Sequence, residues 1–522
     1  MKKKTKSVLL LMLALVFILG MSTGCGSEEA NTEKVTDTYA DSMPSSDEIY
    51  GYIEELANLG VRQPGTEGGM AAQKYLMDKF NEFGLENVHI AYTDNDVWTC
   101  DDWKLEVQGT EIDSYKWYLS LYDGNYNKGG VLKEDANGNP TKHNGNYGTF
   151  STADPGNVED AEIVYTKDFK ELKQLKDEEI KGKVVVSENR PLYYEPREYF
   201  YARDKGAVAF VGVLENYFDS NRYNPEDMTY CDGSYTIPGY YVTEKEGAHI
   251  KQLIDEAKEK GETPMAHFEM TVTAEKTDKA GAVVGTLPGK ADGDGKMIMV
   301  SSHFDALTPY GASQDASGTS EVLAMAKFFS QIPQEERDRG IVFVLNDTHV
   351  SEYDGHDVIN KELLGGSWDN EEGAVVPDAS NTDVLVDVSV EHISKEGIIE
   401  DNELVMTGNV TPRTVYVTNS QEMVDVVNEE IAGLNDAETT GVTEIEEMGL
   451  DYDLCTDAGQ EWYYGYGIPT VSYMSVMPYI YDDCDTMEMV PKSALVPVAN
   501  SMANVIWRFM SMDESAFALP TE

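Results

Sequence analysis

The stretch SSHFDALTPYGASQDASGTSEVL, residues 301–323, gathers the residue types that bind a hydrolytic metal. His303 and Asp305 follow the apolar run MIMV, and Asp315 comes ten residues after Asp305. A neutral imidazole and carboxylates on adjacent loops are good ligands for zinc. A carboxylate shared by two divalent ions could hold an attacking hydroxide between them. MIMV ends at Val300, which puts His303 and Asp305 just past a strand's carboxyl end. Val322, Ala326 and Phe329 recur at helical spacing, so Asp315 falls in the loop ahead of that helix's N-terminus.

Several elements must position these residues. From about residue 280, AVVGTL, MIMVSS, IVFVL, VLVDVSV and GIPTVSYM read as apolar strands alternating with helices. That pattern predicts an α/β fold, a mostly parallel sheet covered on both faces in three α/β/α layers. Ligands of such sheets sit beyond the carboxyl ends of the strands. Upstream, Ala72, Leu76, Phe80 and Phe83 form one face of a predicted helix, with Gly84 as its stop. Between these regions, GKVVVSE (182–188), ARDKGAVAFVGV (202–213) and IPGYYVTEKEGAHIKQLI (237–254) read as a small α/β unit of strands and helices.

The chain has 522 residues, enough for two or three domains. Lys plus Arg number 40 against 94 for Asp plus Glu, a formal charge of -54 that is spread along the chain. Phosphate binding needs clustered cations, so nucleic acid is excluded as a partner. At the N-terminus, lysines within Lys2–Lys6 precede the apolar run Val8–Met21, which is too short to span a bilayer and reads as a secretory segment. Ser-Thr-Gly-Cys then resembles a bacterial lipoprotein processing site, with Ser22 where an aliphatic residue is usual. The expectation is cleavage before Cys25 and a lipid on its sulfur, tethering the protein to the extracellular face of the bacterial membrane. In an oxidising compartment Cys455 and Cys484 could pair, although spacing does not establish connectivity.

H-x-D followed by G-A-x-x-D-x-S-G-T and a helix resembles the M28 family of metallopeptidases, mostly co-catalytic zinc aminopeptidases. RQPGTEGG and FGLENV early in the chain, and GIPTVSY and the later Asp-Thr pair, are similar to that family too. The unit between them resembles a protease-associated domain. The N-terminal pattern gives a signal peptide over 1–25 and the polar, acidic stretch after it a flexible linker over 26–45, and the likenesses imply an M28-like domain in two parts, 46–130 and 278–515. The protease-associated-like insert would occupy 131–277.

Carried over by position, the resemblance implies that His303, Asp315 and Glu391 are metal ligands, with Asp315 bridging two ions. Asp387 takes the place of Glu391 if the strand register shifts. Asp305 matches a carboxylate that orients the His303 ring, the kind of partner such ligands need. Two positions depart from the family. Where it has adjacent glutamates, a base and a ligand, this chain reads NDTHVSEYDGHD. Keeping Asp347 in register puts His349 at the base position and Val350 at the ligand position. Near the C-terminus Tyr481 stands where a histidine ligand belongs, before Asp485 and Thr486, and an offset of one offers Asp482 instead. The surviving ligands belong to the first ion and the missing ones to the second, which implies one zinc. His349, with an ordinary pKa near 6.5, could serve as the base, and Glu352 is the alternative. His356 reads as a surface residue.

The expected function is a membrane-tethered zinc aminopeptidase that hydrolyses peptides. The alternative is an inactive lipoprotein of the same fold that binds a peptide or another ligand.

Overall fold

The computed structural model describes residues 34–116, 158–189, 197–214, 237–349, 354–365, 367–369, 374–376, 382–400, 403–418, 420–432, 434, 441–444, 462, 467–480, 482 and 484–518. Helices α1 (Ser46–Ala57) and α2 (Glu67–Phe83) lead into a long strand, β1 (Glu86–Val107). The Thr66 side chain accepts from the Gly69 amide at the start of α2, and Gly84, at φ 81°, ends the helix in a conformation that glycine adopts without strain. Ala72, Leu76 and Phe80 are fully buried along one stripe of α2, as their spacing predicts.

A smaller unit follows, built from β2 (Val158–Thr166), β3 (Val184–Asn189), α3 (Arg197–Asp204), β4 (Ala209–Leu214), β5 (Gly239–Thr243) and α4 (Glu244–Glu259). Its four strands run parallel in the order β2-β3-β4-β5. Val184 and Val186 pack into one cluster and Val185 into another, so both faces of β3 are covered, which explains its unbroken apolar run.

Strand β6 (Met265–Leu287) pairs antiparallel with β1 and leads back to the larger sheet. The remaining elements are β7 (Met297–His303), α5 (Ser317–Ser330), β8 (Gly340–Asn346), α6 (Asp354–Leu363), β9 (Val384–Glu391) and β10 (Arg413–Val417). After these come α7 (Gln421–Ile431), β11 (Gly441–Glu444), β12 (Thr470–Ser475) and α8 (Lys492–Ser511). The strand order is β11-β10-β12-β9-β7-β8-β6, with β1 paired to β6. The central strands β12, β9, β7 and β8 are parallel, while β10 runs antiparallel to β12 and parallel to β11, and β6 runs antiparallel to β8 and β1.

Alternate residues of the central strands feed two cores. Ile298, Val300, Ile341 and Phe343 pack with α1, α2, α5 and α8 on one face. Met299, Val342 and Val344 pack with Ile359 of α6 and with Trp462 on the other. The expected three-layer α/β/α arrangement is therefore present, parallel at the centre of the sheet and antiparallel beside it.

Part of the expected linker, 26–45, is packed on the fold. Val35 is buried, and the Thr36 amide and hydroxyl both donate to Asn504 of α8. Among the described residues, no helix is long and apolar enough to cross a membrane. Cys25, Val350, Glu352, Cys455 and Tyr481 lie outside the described residues.

Candidate metal centre

Strands β7 and β9 end side by side. Their parallel register pairs Ser301 with Ser389, and His303 and Glu391 are each two residues further on, at the carboxyl ends. Side chains two apart share a face, so both point to the α6 side of the sheet. On this strand Asp387 pairs with Met299, four residues short of the strand end, roughly 13 Å away at the rise of an extended chain. Of the two registers left open by the sequence, the geometry puts Glu391 beside His303.

His303 is fully buried, and its Nδ1 lies 2.8 Å from Asp305 Oδ1. A carboxylate only accepts, so Nδ1 carries the proton and the Nε2 lone pair faces away from Asp305. Nε2 is buried with no hydrogen-bond partner among the described residues. Burial first, and then the Arg62 charge, push the His303 pKa down to about 3, so the ring stays neutral in the form a metal binds.

His392 follows Glu391 and has a positive φ of 57°. Successive strand residues point to opposite faces, but this left-handed residue breaks the alternation, and His392 Nε2 comes 3.9 Å from Glu391 Oε2. The His392 Nδ1 lies 2.9 Å from the Ser475 carbonyl oxygen. Among the described residues, His303, Glu391 and His392 are the group whose ligand atoms all lie within 4.8 Å of one another. Sequence reasoning missed His392 because strict alternation places it on the far side of the sheet.

Asp315 sits beyond the strand ends on the α5 side, buried, with its pKa pushed well up by burial. Its Oδ2 accepts from the Ser302 hydroxyl at 2.7 Å and lies 4.0 Å from His303 Nε2. Its Oδ1 accepts from the amides of Gly318 and His392, each at 3.0 Å. The close approach requires glycine at 318, because a Cβ there would lie 2.4 Å from Asp315 Oδ2 and 2.5 Å from the Val390 carbonyl oxygen. Asp485 holds the same loop from outside, its carboxylate accepting from the amides of Ser313 and Gln314. Burial raises the Asp485 pKa to about 6.

Arg62, also missed from sequence, anchors the loop after His303. Its Nε donates to the Phe304 carbonyl at 2.7 Å, Nη1 to Tyr310 at 2.8 Å and Nη2 to Gly311 at 2.9 Å. Thr319, in the first turn of α5, donates to the His303 carbonyl at 2.6 Å.

The sequence-selected residues after β8 have different surroundings. Asp347 accepts from Gln73 Nε2 at 2.7 Å and from the Gly281 amide at 2.6 Å, so it ties α2 and β6 to β8. His349 stacks on the His303 ring, centroids 3.9 Å apart and planes 16° apart. Burial pushes its pKa well down. His356, expected at the surface, is instead fully buried and packs on Trp462 with ring centroids 4.4 Å apart, because α6 turns it into the core.

The described group fits a zinc ion. Two imidazoles and a carboxylate are ligand types zinc prefers, and a buried basic nitrogen with no partner is otherwise costly.

Residues 282–349, from the end of β6 through His349, match the profile of Peptidase family M28. The fold is similar to that of an aminopeptidase from Aneurinibacillus sp. strain AM-1, at 15% identity and a TM-score of 0.56, covering 91% of this chain and 95% of that one. It is similar to a peptidase M28 precursor from Shewanella amazonensis SB2B, at 16% identity and 0.59, covering 92% and 96%. It is similar too to BSAP, a zinc aminopeptidase from Bacillus subtilis, at 13% identity and 0.57, covering 91% and 98%. No curated protein matches the chain in sequence. The likeness to M28 peptidases and the α/β fold read from the sequence are borne out.

Proposed function

We propose that this chain is a zinc metallopeptidase that removes N-terminal residues from peptides and works with a single metal ion. The observation that carries the reading is the buried Nε2 of His303, which has no hydrogen-bond partner among the described residues, on a residue grouped with Glu391 at the carboxyl ends of two parallel strands. When bound, zinc polarises a peptide carbonyl and makes water a nucleophile near neutral pH.

The chain's own residues do the rest. His303 and Glu391 hold the ion, and Asp305 fixes the His303 ring and its tautomer. Asp315 supports a one-ion site through its lone pairs. A carboxylate offers about four acceptor positions. Oδ1 already accepts two amides, so both its lone pairs are used, and only Oδ2, which the Ser302 hydroxyl also approaches, is left for a metal; a carboxylate bridging two ions needs an oxygen for each. His349 is held neutral by burial and lies against His303, placed to accept a proton from the attacking water, and its low basicity limits the rate gain it supplies. Nearby carboxylates would hold the free amine of the substrate.

The smaller unit is read as a protease-associated-like lid or spacer without catalytic residues. Lipidation at Cys25 would tether the protein outside the bacterial membrane. A second reading, a peptide-binding protein without hydrolysis, is favoured by the sequence after β8, where His349 and Val350 stand at the positions of the family's adjacent glutamates and supply neither the carboxylate base nor the second ligand.

Metal analysis and a panel of fluorogenic aminoacyl substrates test the proposal, with the His303→Ala variant as control. The expected result is about one zinc per chain and hydrolysis that the variant loses. Zinc without hydrolysis would establish the second reading, and activity unchanged in the variant would refute the assigned site.

A further inference from the structure

We propose that His392 is a metal ligand, completing with His303 and Glu391 a site of two imidazoles and one carboxylate for a single zinc ion. The inference rests on the metallopeptidase reading of the same site and adds a residue that the M28 resemblance does not assign.

Proximity is the first argument, since the three donors lie within 4.8 Å of one another. The backbone gives the second. A residue other than glycine at φ 57° costs on the order of 1 kcal/mol and persists only when its surroundings hold it. Here the His392 amide donates to Asp315 Oδ1 at 3.0 Å, and its carbonyl accepts from the Ser475 hydroxyl. The effect of this conformation is to bring the His392 ring to the side of Glu391, where an ordinary strand residue would point away.

Ring chemistry is the third argument. A backbone carbonyl only accepts, so the contact of Nδ1 with Ser475 fixes the proton on Nδ1 and leaves the lone pair on Nε2. Asp305 does the same for His303. Both rings thus carry the lone pair on Nε2, that of His392 lying 3.9 Å from Glu391 Oε2, and each has the outer partner that metal-binding histidines typically have. Two histidines and a glutamate form a known set for catalytic zinc, with a fourth position open.

Asp315 then has a different task from the bridging ligand that the resemblance implies. It is a positioning residue, holding the backbone of His392 through one oxygen and Ser302 through the other.

Zinc-edge X-ray absorption on the full chain loaded with one equivalent of zinc counts the imidazoles bound to the metal. Two are expected, from His303 and His392. The ligands the resemblance implies, His303, Asp315 and Glu391, would give one, and that count overturns the proposal while leaving the metallopeptidase reading intact. Failure of the wild-type chain to take up zinc overturns both.

In parallel, His392→Asn keeps a residue that tolerates a left-handed backbone, and circular dichroism and the thermal midpoint check its fold. Loss of an outer partner alone lowers metal affinity 10- to 100-fold, so loss of a direct ligand should lower zinc affinity by more than about 100-fold. The imidazole count should also fall from two to one. A folded variant with wild-type affinity overturns the proposal. If the variant does not fold, the wild-type count decides.

Discussion

Arg62→Met tests how the metal site is built into the fold. The substitution keeps an unbranched apolar stem and removes the guanidinium. Three short hydrogen bonds disappear, leaving the buried carbonyls of Phe304 and Gly311, and the partly exposed one of Tyr310, without the donors that now satisfy them. A hydrogen bond to a charged group contributes about 1.5–3 kcal/mol. The sum is reduced because the guanidinium itself is desolvated, which is also what lowers the Arg62 pKa to about 10. Breaking such a buried set typically costs about 3–5 kcal/mol, the loss expected here in urea unfolding of the metal-free protein. The loop that relaxes carries Asp305, so zinc affinity should fall about 10- to 100-fold, as for loss of an outer partner. Arg62→Lys should rescue little, because one ammonium cannot span three carbonyls with the geometry of a fork. A loss of about 0.5 kcal/mol or less with unchanged zinc affinity would refute the reasoning, since ordinary surface substitutions already reach that size.

Gly318→Ala forces a methyl group against the backbone oxygen of Val390 and against Asp315 Oδ2, whose carboxylate is held in place by the amides of Gly318 and His392. Overpacking of this kind costs about 1–3 kcal/mol, and differential scanning calorimetry should record a lowered midpoint. The buried His303 makes stability depend on pH. Its folded-state pKa is about 3, against about 6.5 when unfolded, so below 6.5 the unfolded chain binds a proton that the folded chain refuses. Stability of the metal-free protein should therefore rise with pH between about 3 and 6.5, by up to about 1.4 kcal/mol per unit. Asp485, raised to about 6, works in the opposite sense, but it is present in both members of a comparison with His303→Gln, which should lose one proton's worth of slope. His349→Ala should lower kcat by no more than about 100-fold, the lower end for general bases, because its basicity is depressed. A loss of 10,000-fold would show that burial does not weaken the base.

The layer arrangement and the position of the site were legible because both follow from periodicity. The apolar runs mark the central strands, and His303 and Asp315 fall at a strand end and before a helix, where the structure puts them. Strand direction outside the centre was not legible, because AVVGTL is the end of a 23-residue strand that runs antiparallel to β8. His392 was invisible for a different reason. Its neighbour Glu391 obeys the two-residue period, and only a left-handed backbone, set by Asp315 and Ser475 from distant parts of the chain, turns the two side chains the same way. Arg62 and the tethering role of Asp347 were not legible, since a sequence does not show which side chains a distant loop or strand will bring within hydrogen-bond reach. His356 looked exposed in an acidic loop, yet helix α6 carries it against Trp462.

The central claim is that this fold holds one metal at the ends of β7 and β9. Anomalous diffraction at the zinc edge, from crystals grown with zinc, tests it most directly. A single strong peak bounded by His303, Glu391 and His392 is the result predicted. Two fully occupied peaks side by side, or none between those three side chains, would contradict it.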